Sequence, residues 1–253
     1  MRVYPTDFIN QIICGDCLEV MQDIPSASID MILCDLPYGV TARNEWDRPL
    51  DLNSLWRSYK RIIKKNGAII LTSQFPYTAE LFYSNPKWFR YDLVWDKKLV
   101  TGFLNAKKMP MRRHEQILVF YEHLPTYNPQ MMSGSPQHSK GKNWKSTHKS
   151  SLCYGEYDAL EVDYRAGNTE KFPTSILSFP KTHPSKTKHK TQKSERLFEY
   201  LIHTYSNPGE IILDNCVGSG TTAVAALNSG RNFIGIELLE EYCEVARQRI
   251  SIT

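Results

Sequence analysis

The sequence predicts an α/β protein built on a largely parallel sheet. Short apolar runs bounded by turn signals recur along the 253 residues, and amphipathic helical patterns lie between them. One acidic and one glycine-rich segment directly follow such runs, at the position where open α/β sheets bind ligands. With 41% hydrophobic and 23% charged residues, the chain can bury the core of one large domain.

The elements follow in chain order from these patterns. Each predicted strand is an apolar run, and each predicted helix has apolar residues at a spacing of three or four. The predicted strands are Gln11–Cys14, Ile29–Cys34, Ala68–Thr72, Tyr91–Trp95, Gln116–Tyr121, Glu210–Leu213 and Asn232–Ile236. The predicted helices are Leu52–Lys65, Ser194–Tyr205, Thr221–Leu227 and a last helix near Glu240–Ile250. The first stops at Asn66-Gly67, and Ser194 can cap the second.

Composition and spacing exclude several classes of protein. The sequence has no apolar run of about 18 residues and no apolar leader, so we expect a soluble, cytoplasmic protein without a membrane partner. The cysteines are scattered, and we expect reduced core residues. Cys14-Gly15-Asp16-Cys17 has the spacing of half a zinc site but lacks a second ligand pair, so we expect no metal. The six cysteines are Cys14, Cys17, Cys34, Cys153, Cys216 and Cys243.

Two consecutive segments interrupt the alternation of strands and helices. The region from about His123 to Pro180 is polar, weakly periodic and too long for an ordinary connection, which indicates a functional insertion or partial disorder. The segment Lys181–Lys193 carries five lysines and two histidines without an acidic residue, in a chain of net charge +4. Such a block fits a polyanionic partner, and a solvated loop is the alternative.

The glycine-rich segment near the end predicts a nucleotide-cofactor cradle. The apolar run at 211–213 leads into Asp214 and then Gly218-Ser219-Gly220, where backbone amides can approach a ligand at a helix N-terminus. Glu237 ends the next strand and can accept hydrogen bonds from ribose hydroxyls. No lysine follows the glycines, which excludes a P-loop. Only one βαβ unit follows them, which disfavours a dinucleotide dehydrogenase.

Asp35-Leu36-Pro37-Tyr38 emerges from the carboxyl end of an apolar strand and has the residue types needed to activate a base amine. Such an amine is a poor nucleophile because its lone pair is delocalised into the ring. The Asp35 carboxylate and a backbone carbonyl such as that of Leu36 can accept both amine protons as the methyl group arrives. Tyr38 can stack on a base that has left the duplex. Strand termination alone is the alternative interpretation.

Taken together, these segments resemble the β group of S-adenosylmethionine-dependent DNA amino-methyltransferases, and the resemblance covers almost the whole chain. The family tetrapeptide is usually Asp-Pro-Pro-Tyr, and Leu36 makes a variant similar to phage-type adenine methylases. Residues 214–222 resemble the family's Asp-Pro-Phe-x-Gly-Ser-Gly-Thr-Thr, with Asn215 and Cys216 as departures. Gly15-Asp16 resembles its Gly-Asp segment. His189–Ser194 resembles its His-Pro-Thr-Gln-Lys-Pro segment without the prolines.

The resemblance implies a Rossmann-like, seven-stranded mixed sheet with one reversed strand and a circularly permuted order of motifs. Residues 1–122 would form the catalytic half, 123–180 a target-recognition insertion and 181–253 the cofactor-binding half. The implied catalytic residues are Asp35, Leu36, Pro37 and Tyr38. Asp16 is expected to bond the adenine of the cofactor, and residues 191–193 its methionine end. The implied S-adenosylmethionine-binding residues are Asp16, Cys17, Asp35, Thr191, Gln192, Lys193, Asp214, Cys216, Gly218, Ser219, Gly220, Thr221, Thr222, Glu237 and Leu238.

The activity implied is methyl transfer to adenine N6 of a flipped base in double-stranded DNA, since Asp rather than Ser at position 35 favours adenine. Cytosine N4 transfer, a catalytically silent DNA-binding protein of this fold, and an RNA or protein amide methyltransferase remain open. Cytosine C5 transfer is excluded because Cys34 lies inside a strand rather than in a Pro-Cys setting. A homodimer and a cognate restriction enzyme are both compatible with the resemblance.

Two further features each have two interpretations. Trp46, in the loop after the catalytic segment, is either part of a lid over the flipped base or an ordinary packing residue. Arg112-Arg113-His114 precedes a predicted strand and either touches phosphates or lies in a solvated loop.

Overall fold

The computed structural model describes residues 2–39, 49–136, 150–151, 155–156, 169–181 and 193–252. The chain divides into two compact units, one of Met1–Asn128 with Thr174–Thr253 and one of Pro129–Pro173. The smaller unit contains two short antiparallel pairs, β6 (Met132–Ser133) with β9 (Glu170–Lys171), and β7 (Ser150–Ser151) with β8 (Gly155–Glu156). It lies within the insertion predicted at 123–180, whose role in target recognition stays a prediction.

The larger unit contains the main sheet and its helices. Its strands are β1 (Gln11–Cys14), β2 (Ile29–Cys34), β3 (Ile63–Ser73), β4 (Phe89–Thr101), β5 (Arg112–Phe120), β10 (Ile176–Ser178), β11 (Ile211–Asp214) and β12 (Asn232–Glu237). Its helices are α1 (Cys17–Val20), α2 (Leu52–Ile62), α3 (Tyr77–Ser84), α4 (Glu195–Tyr205), α5 (Thr221–Asn228) and α6 (Glu240–Ile250). All seven predicted strands are present, and α1 and α3 are additions.

The order of strands in the sheet is β1-β12-β11-β2-β3-β5-β4-β10 within the described residues. Strand β5 runs antiparallel to both neighbours, and every other pairing is parallel. The α/β fold with one reversed strand is therefore confirmed. The sheet has eight strands rather than seven, because β10 pairs with the outer side of β4 at residues 94–96.

The core has two layers, one on each face of the sheet. Along β2, Ile32 and Cys34 pack with the first three helices, whereas Met31 and Leu33 pack with the last three. This alternation follows from the period of two in a strand, and burial on both faces explains why β2 is almost wholly apolar. The described residues include no helix of the length and apolarity needed to cross a membrane.

The predicted end of α2, at Lys65, was wrong by three residues. The helix ends at Ile62, and Ile63 begins β3, so the turn-forming pair Asn66-Gly67 lies inside a strand. A register shift between Ile29 and Met31 of β2 accommodates the extra residues. At Gly67 a Cβ atom would lie 2.7 Å from the Asp30 carbonyl oxygen, so this glycine is required by close packing rather than by a turn.

The structure tests two local predictions, one for Ser194 and one for the cysteines. Ser194 occupies the N-cap position of α4, but its hydroxyl makes no capping hydrogen bond, so its predicted role as a side-chain cap was wrong. The five described cysteines are free, and Cys17, Cys34 and Cys243 are buried, as expected for reduced core residues. Cys153 lies outside the described residues.

Candidate active site

Four acidic segments meet at one edge of the sheet because four neighbouring parallel strands end there. In spatial order, β1 ends before Asp16, β12 at Glu237, β11 at Asp214 and β2 before Asp35. The register aligns Cys14 with Glu237 and Asp214 with Gly235, so these ends are level with one another. The carboxyl edge of parallel strands is where α/β sheets bind ligands.

Asp35 is fixed by three donors that all reach the same carboxylate oxygen. The hydroxyls of Tyr38 and Thr72 donate to Oδ1, and the ammonium of Lys193 lies 3.1 Å from it. Tyr38 and Thr72 also contact each other, with 3.0 Å between their hydroxyl oxygens. Among the described residues, no donor contacts Oδ2, so this oxygen retains its capacity to accept a hydrogen bond.

Lys193 links Asp35 to a buried row of alternating charges. Its ammonium lies 2.6 Å from Glu115 Oε2, and Lys97 lies 3.0 Å from Glu115 Oε1. The three side chains Lys97, Glu115 and Lys193 are 3%, 5% and 11% exposed. Burial alone would raise the pKa of Glu115, but the two lysines outweigh it and lower that pKa to about 2. Burial opposes the charge of Lys193 as well, yet Asp35 and Glu115 hold its pKa well above the usual value.

The remaining residues of the catalytic segment have separate environments. Leu36 is buried in the core, and Pro37 is partly buried. The Tyr38 ring lies against Tyr77, with 5.5 Å between ring centroids, and the Lys193 ammonium is 5.6 Å from its centroid. Burial and the Asp35 charge raise the pKa of Tyr38 well above its usual value, so its hydroxyl stays a donor. Stacking of Tyr38 on a base stays a prediction.

Glu237 is anchored beside the glycine turn by backbone amides. Gly218 N–H donates to Oε2 at 2.9 Å, and Leu239 N–H donates to Oε1 at 3.0 Å. The Glu237 carbonyl accepts a hydrogen bond from Gly15 N–H at 2.9 Å, which connects the glycine turn to the Gly15-Asp16 segment. The structure therefore brings together three of the predicted cofactor-binding segments. Each carboxylate oxygen of Glu237 keeps a lone pair for another donor.

The buried carboxylate of Asp214 holds both ends of the glycine turn through hydrogen bonds. Asp214 is 3% exposed, and its carboxylate accepts hydrogen bonds from the Thr222 hydroxyl and from Cys216 N–H at 3.0 Å. Burial raises the pKa of Asp214 to about 7. Cys17 and Cys216 flank the side-chain amide of Asn215, whose Nδ2 lies 3.6 Å and 3.5 Å from their sulfurs. These contacts hold the loop, and cofactor contacts by these residues stay predictions.

Arg249 shapes the rest of the glycine turn, although the sequence offered no signal for it. Its buried guanidinium donates to the Ser219 carbonyl, to Ser219 Oγ at 3.0 Å and to Thr221 Oγ1 at 3.5 Å. Gly220 has a φ of +84°, and a Cβ there would lie 3.0 Å from the Cβ of Ala246. The Ser219 and Thr221 hydroxyls thus bind the protein itself. The backbone is the part of the turn that can approach a ligand.

The first and last predicted cofactor residues lie at the surface of the same edge. Asp16 is exposed, and its Oδ1 caps α1 by accepting from Leu18 N–H at 2.7 Å and Glu19 N–H at 3.4 Å. Leu238 is 60% exposed and directly follows the buried Glu237 in the chain. Their contacts with a cofactor stay predictions. Thr191, Gln192 and His189, most of the basic segment 181–193, and Trp46 lie outside the described residues.

The two cysteines of the predicted half zinc site have different neighbours. The Cys17 sulfur contacts the side-chain amide of Asn215, whereas one ligand atom each of Cys14, Cys243 and Glu240 lie within 4.8 Å of one another. The sulfurs of Cys14 and Cys243 face the carbonyl oxygens of Leu238 and Glu237 at 3.6 Å, as expected for protonated thiols. Burial raises the pKa of Cys243 to about 12, which is consistent with that state.

Comparisons with known proteins agree with this geometry. The sequence model of the DNA methylase family, N6 and N4 type, matches residues 29–248. The type II methyltransferase M.HinfI of Haemophilus influenzae is 30% identical over 99% of the chain and 70% of its own length. The DNA adenine methyltransferase YhdJ of Escherichia coli is 29% identical over 98% of the chain and 86% of its own length.

Solved structures show the same fold at lower identity. The crystal structure of the M1.HpyAVI-SAM complex has a TM-score of 0.62 at 22% identity and covers 95% of this chain and 98% of its own. The cytosine-N4-specific PvuII DNA methyltransferase has a TM-score of 0.66 at 14% identity and covers 94% and 85%. The match over most of the chain, and the site at its carboxyl edge, show that the chain belongs to the N6 and N4 family of DNA methylases.

Proposed function

We propose that this DNA methyltransferase transfers a methyl group from S-adenosylmethionine to N6 of an adenine flipped out of double-stranded DNA. The observation that carries the proposal is the environment of Asp35. Three donors fix its Oδ1, and its Oδ2 can still accept a hydrogen bond. A carboxylate oriented in this way suits a substrate that presents an N–H group.

The chemistry follows from the electronics of the base amine. Its lone pair is delocalised into the ring, and positive charge develops on nitrogen as the new bond forms. Asp35 and the Leu36 carbonyl can accept the two amine protons, so the charge develops beside acceptors that the fold holds in place. When bound, S-adenosylmethionine would supply an electrophilic methyl group, whose bond to sulfur breaks as the bond to the amine nitrogen forms, with a neutral thioether as the leaving group. The nitrogen then loses one proton, which the Asp35 carboxylate can take up because it is the ionisable one of the two acceptors.

The cradle fits the proposed cofactor on three observations. Glu237 offers two anchored carboxylate oxygens for ribose hydroxyls. At Gly218 a Cβ would meet no described atom nearer than the Cys216 carbonyl oxygen at 4.0 Å, so a ligand can approach the backbone of the turn there. Leu238 offers an exposed apolar side chain for the adenine ring. The cradle ends beside Asp35 because β11 and β2 are neighbours in the sheet.

Adenine rather than cytosine is the target that the residues favour. Position 35 carries Asp, and among the relatives YhdJ is named a DNA adenine methyltransferase. The likeness to a cytosine-N4-specific enzyme is a likeness of fold at 14% identity. Both bases present the same kind of exocyclic amine, so the identity of the product has to be measured.

The test is transfer of a labelled methyl group from S-adenosylmethionine to unmethylated bacterial genomic DNA, followed by digestion to nucleosides. Labelled N6-methyladenine is the expected product, and Asp35→Ala is the control that should give none. N4-methylcytosine would move the assignment to cytosine and leave the mechanism intact. Cofactor binding without any labelled DNA would overturn the proposal in favour of a silent DNA-binding protein or another substrate.

A further inference from the structure

The tip of the β4–β5 hairpin, residues 102–111, exposes large apolar side chains to solvent. Phe103 is 80% exposed, Leu104 is 95% exposed and Met109 is 53% exposed. Single exposed apolar residues are common in soluble proteins, but neighbouring ones at a projecting tip mark an interaction site more often.

The tip is an ordered turn that holds these side chains in place. Gly102 has a φ of +91°, a left-handed conformation that starts the short 3₁₀ turn Phe103–Asn105. Asn105 N–H donates to the Gly102 carbonyl at 3.0 Å, and Met109 N–H donates to the Asn105 carbonyl at 3.0 Å. A structured tip loses less conformational entropy on binding than a flexible one, so it is prepared for contact.

The hairpin also carries uncompensated positive charge. Residues 97–114 include six lysines and arginines and no acidic residue. Lys97 pairs with Glu115, and Asp96 pairs with both Lys98 and Arg113. The side chains of Lys107, Lys108 and Arg112 make no ion pair within the described part of the chain. Cations without an acidic partner in the described part of the chain, beside an apolar tip, are suited to a phosphate backbone.

The hairpin projects from the same edge of the sheet as the candidate active site. Strand β4 runs parallel to β2 and β3, and β5 runs back, so the connection between them leaves at the edge where Asp35 lies. Arg112 Nη1 donates to Gln74 Oε1 at 3.2 Å. Gln74 is two residues beyond Thr72, which donates to Asp35.

We propose that the hairpin tip contacts the DNA duplex beside the flipped base. Phe103 and Leu104 insert against the base stack, and Lys107 and Lys108 bind the adjacent phosphates. Proteins that distort DNA use apolar wedges of this kind to replace lost base stacking. The proposal rests on DNA being the substrate. It adds a contact outside the predicted target-recognition region of 123–180.

Two paired variants test the tip. Phe103→Ser/Leu104→Ser removes the wedge, and its control is Tyr83→Ser/Leu124→Ser, whose side chains are 76% and 77% exposed. Lys107→Ala/Lys108→Ala removes two charges, with Lys65→Ala/Lys87→Ala as its control. Lys65 and Lys87 are exposed near the start of β3 and β4, at the opposite edge of the sheet. Thermal unfolding of all four should match that of the wild type.

The probe is a short duplex containing the sequence that the genomic experiment shows to be methylated, with 2-aminopurine at the target base. Wild-type protein should bind it and raise the fluorescence as the base leaves the stack. The serine variant should lose most of this rise and bind about tenfold more weakly, because base–aromatic contacts are lost. In the lysine variant, the slope of log affinity against log salt should be smaller in magnitude by about 2, because each lost phosphate contact removes about 0.9 from the slope and two lysines are replaced.

Wild-type fluorescence and salt slope in both tip variants would overturn the inference, while normal methylation would leave the proposed function standing. Failure of the wild-type protein to bind or methylate DNA would overturn the proposed function first. A serine variant that bound DNA normally but turned a wild-type dimer into a monomer would overturn the inference too, since it would assign the tip to contact with a second copy of the chain.

Discussion

Replacement of Glu115 by glutamine should destabilise the protein strongly, because Glu115 neutralises two buried lysines. Its carboxylate lies 3.0 Å from the Lys97 ammonium and 2.6 Å from that of Lys193. Glutamine keeps the shape and can still accept one hydrogen bond, but it leaves the two cations without their shared counter-charge. Removal of one partner from a buried ion pair costs about 3–5 kcal/mol.

The pKa of Glu115 gives a second magnitude for the same contacts. It falls from an ordinary value of 4.5 to about 2 in the folded protein. A carboxylate whose pKa is lower in the folded than in the unfolded state stabilises the fold at pH values above the unfolded-state pKa. At about 1.4 kcal/mol per pH unit, the contribution at neutral pH is about 3–4 kcal/mol. This contribution is lost as pH falls from 4.5 towards 2, when the carboxylate becomes protonated. The two magnitudes agree.

Urea unfolding of wild type and Glu115→Gln at neutral pH measures this difference. Asp96→Asn is the matched control, because Asp96 lies in the neighbouring strand and its ion pairs with Lys98 and Arg113 are exposed. Its effect should be far smaller. Lys97→Met combined with Glu115→Gln should recover part of the loss, since it removes the cation whose ion pair was with Glu115, whereas Lys193 keeps Asp35. Equal stability of Glu115→Gln and wild type at neutral pH would refute the argument.

Four further outcomes are expected. Asp35→Ala should abolish methyl transfer while retaining most cofactor affinity by calorimetry, and full activity would contradict the catalytic assignment. Glu237→Ala should instead weaken cofactor binding first, by about tenfold or more, as expected on loss of charged hydrogen-bond acceptors. Gly220→Ala should lower the free energy of unfolding by about 1–2 kcal/mol or more, because φ is +84° and the new Cβ would press on Ala246. Burial raises the pKa of Asp214 from 3.8 to about 7, so wild-type stability should fall as pH rises between these values. Asp214→Asn should lack this fall, and an unchanged pH profile would show that Asp214 is not its source.

The strands and most helices could be predicted because the middle part of each element follows a short-range pattern of apolar residues. Strand β2 is an apolar run, and α6 carries an amphipathic pattern, so a few consecutive residues are enough to predict a strand or a helix in each case. Boundaries that depend on a partner strand could not be predicted. Ile63 begins β3 because a register shift in the pairing with β2 leaves room for Lys64, Lys65 and Asn66, and local propensity carries no information about that pairing.

The motif residues of the site were predictable, but the residues that orient them were not. Glu115 stands just before the predicted strand Gln116–Tyr121, where a charge normally indicates a strand end. In the structure Glu115 pairs with Trp95 in the antiparallel register of β5 and β4. Lys97 lies two residues beyond Trp95 and therefore on the same face of the sheet. A buried ion pair between two strands depends on long-range register, and only the structure brings it next to Lys193.

The spatial order of the strands explains how widely separated segments can serve one reaction. Strand β11 lies between β12 and β2, so the glycine turn after Asp214 has Glu237 on one side and Asp35 on the other. The same order places β3 and β5 on the other side of β2. Strand β3 supplies Thr72, which donates to the Asp35 carboxylate, and β5 supplies Glu115, which accepts a hydrogen bond from Lys193. The glycine turn with Glu237 and the Asp35 carboxylate are thus built on adjacent strand ends. A substitution in either should alter the packing at the boundary between β11 and β2. Cys34 and Cys216 lie at that boundary as uncharged thiols, since burial raises the pKa of Cys34 to about 12 and also raises that of Cys216, whereas the Lys193–Asp35 ion pair links residues of the two predicted halves by charge.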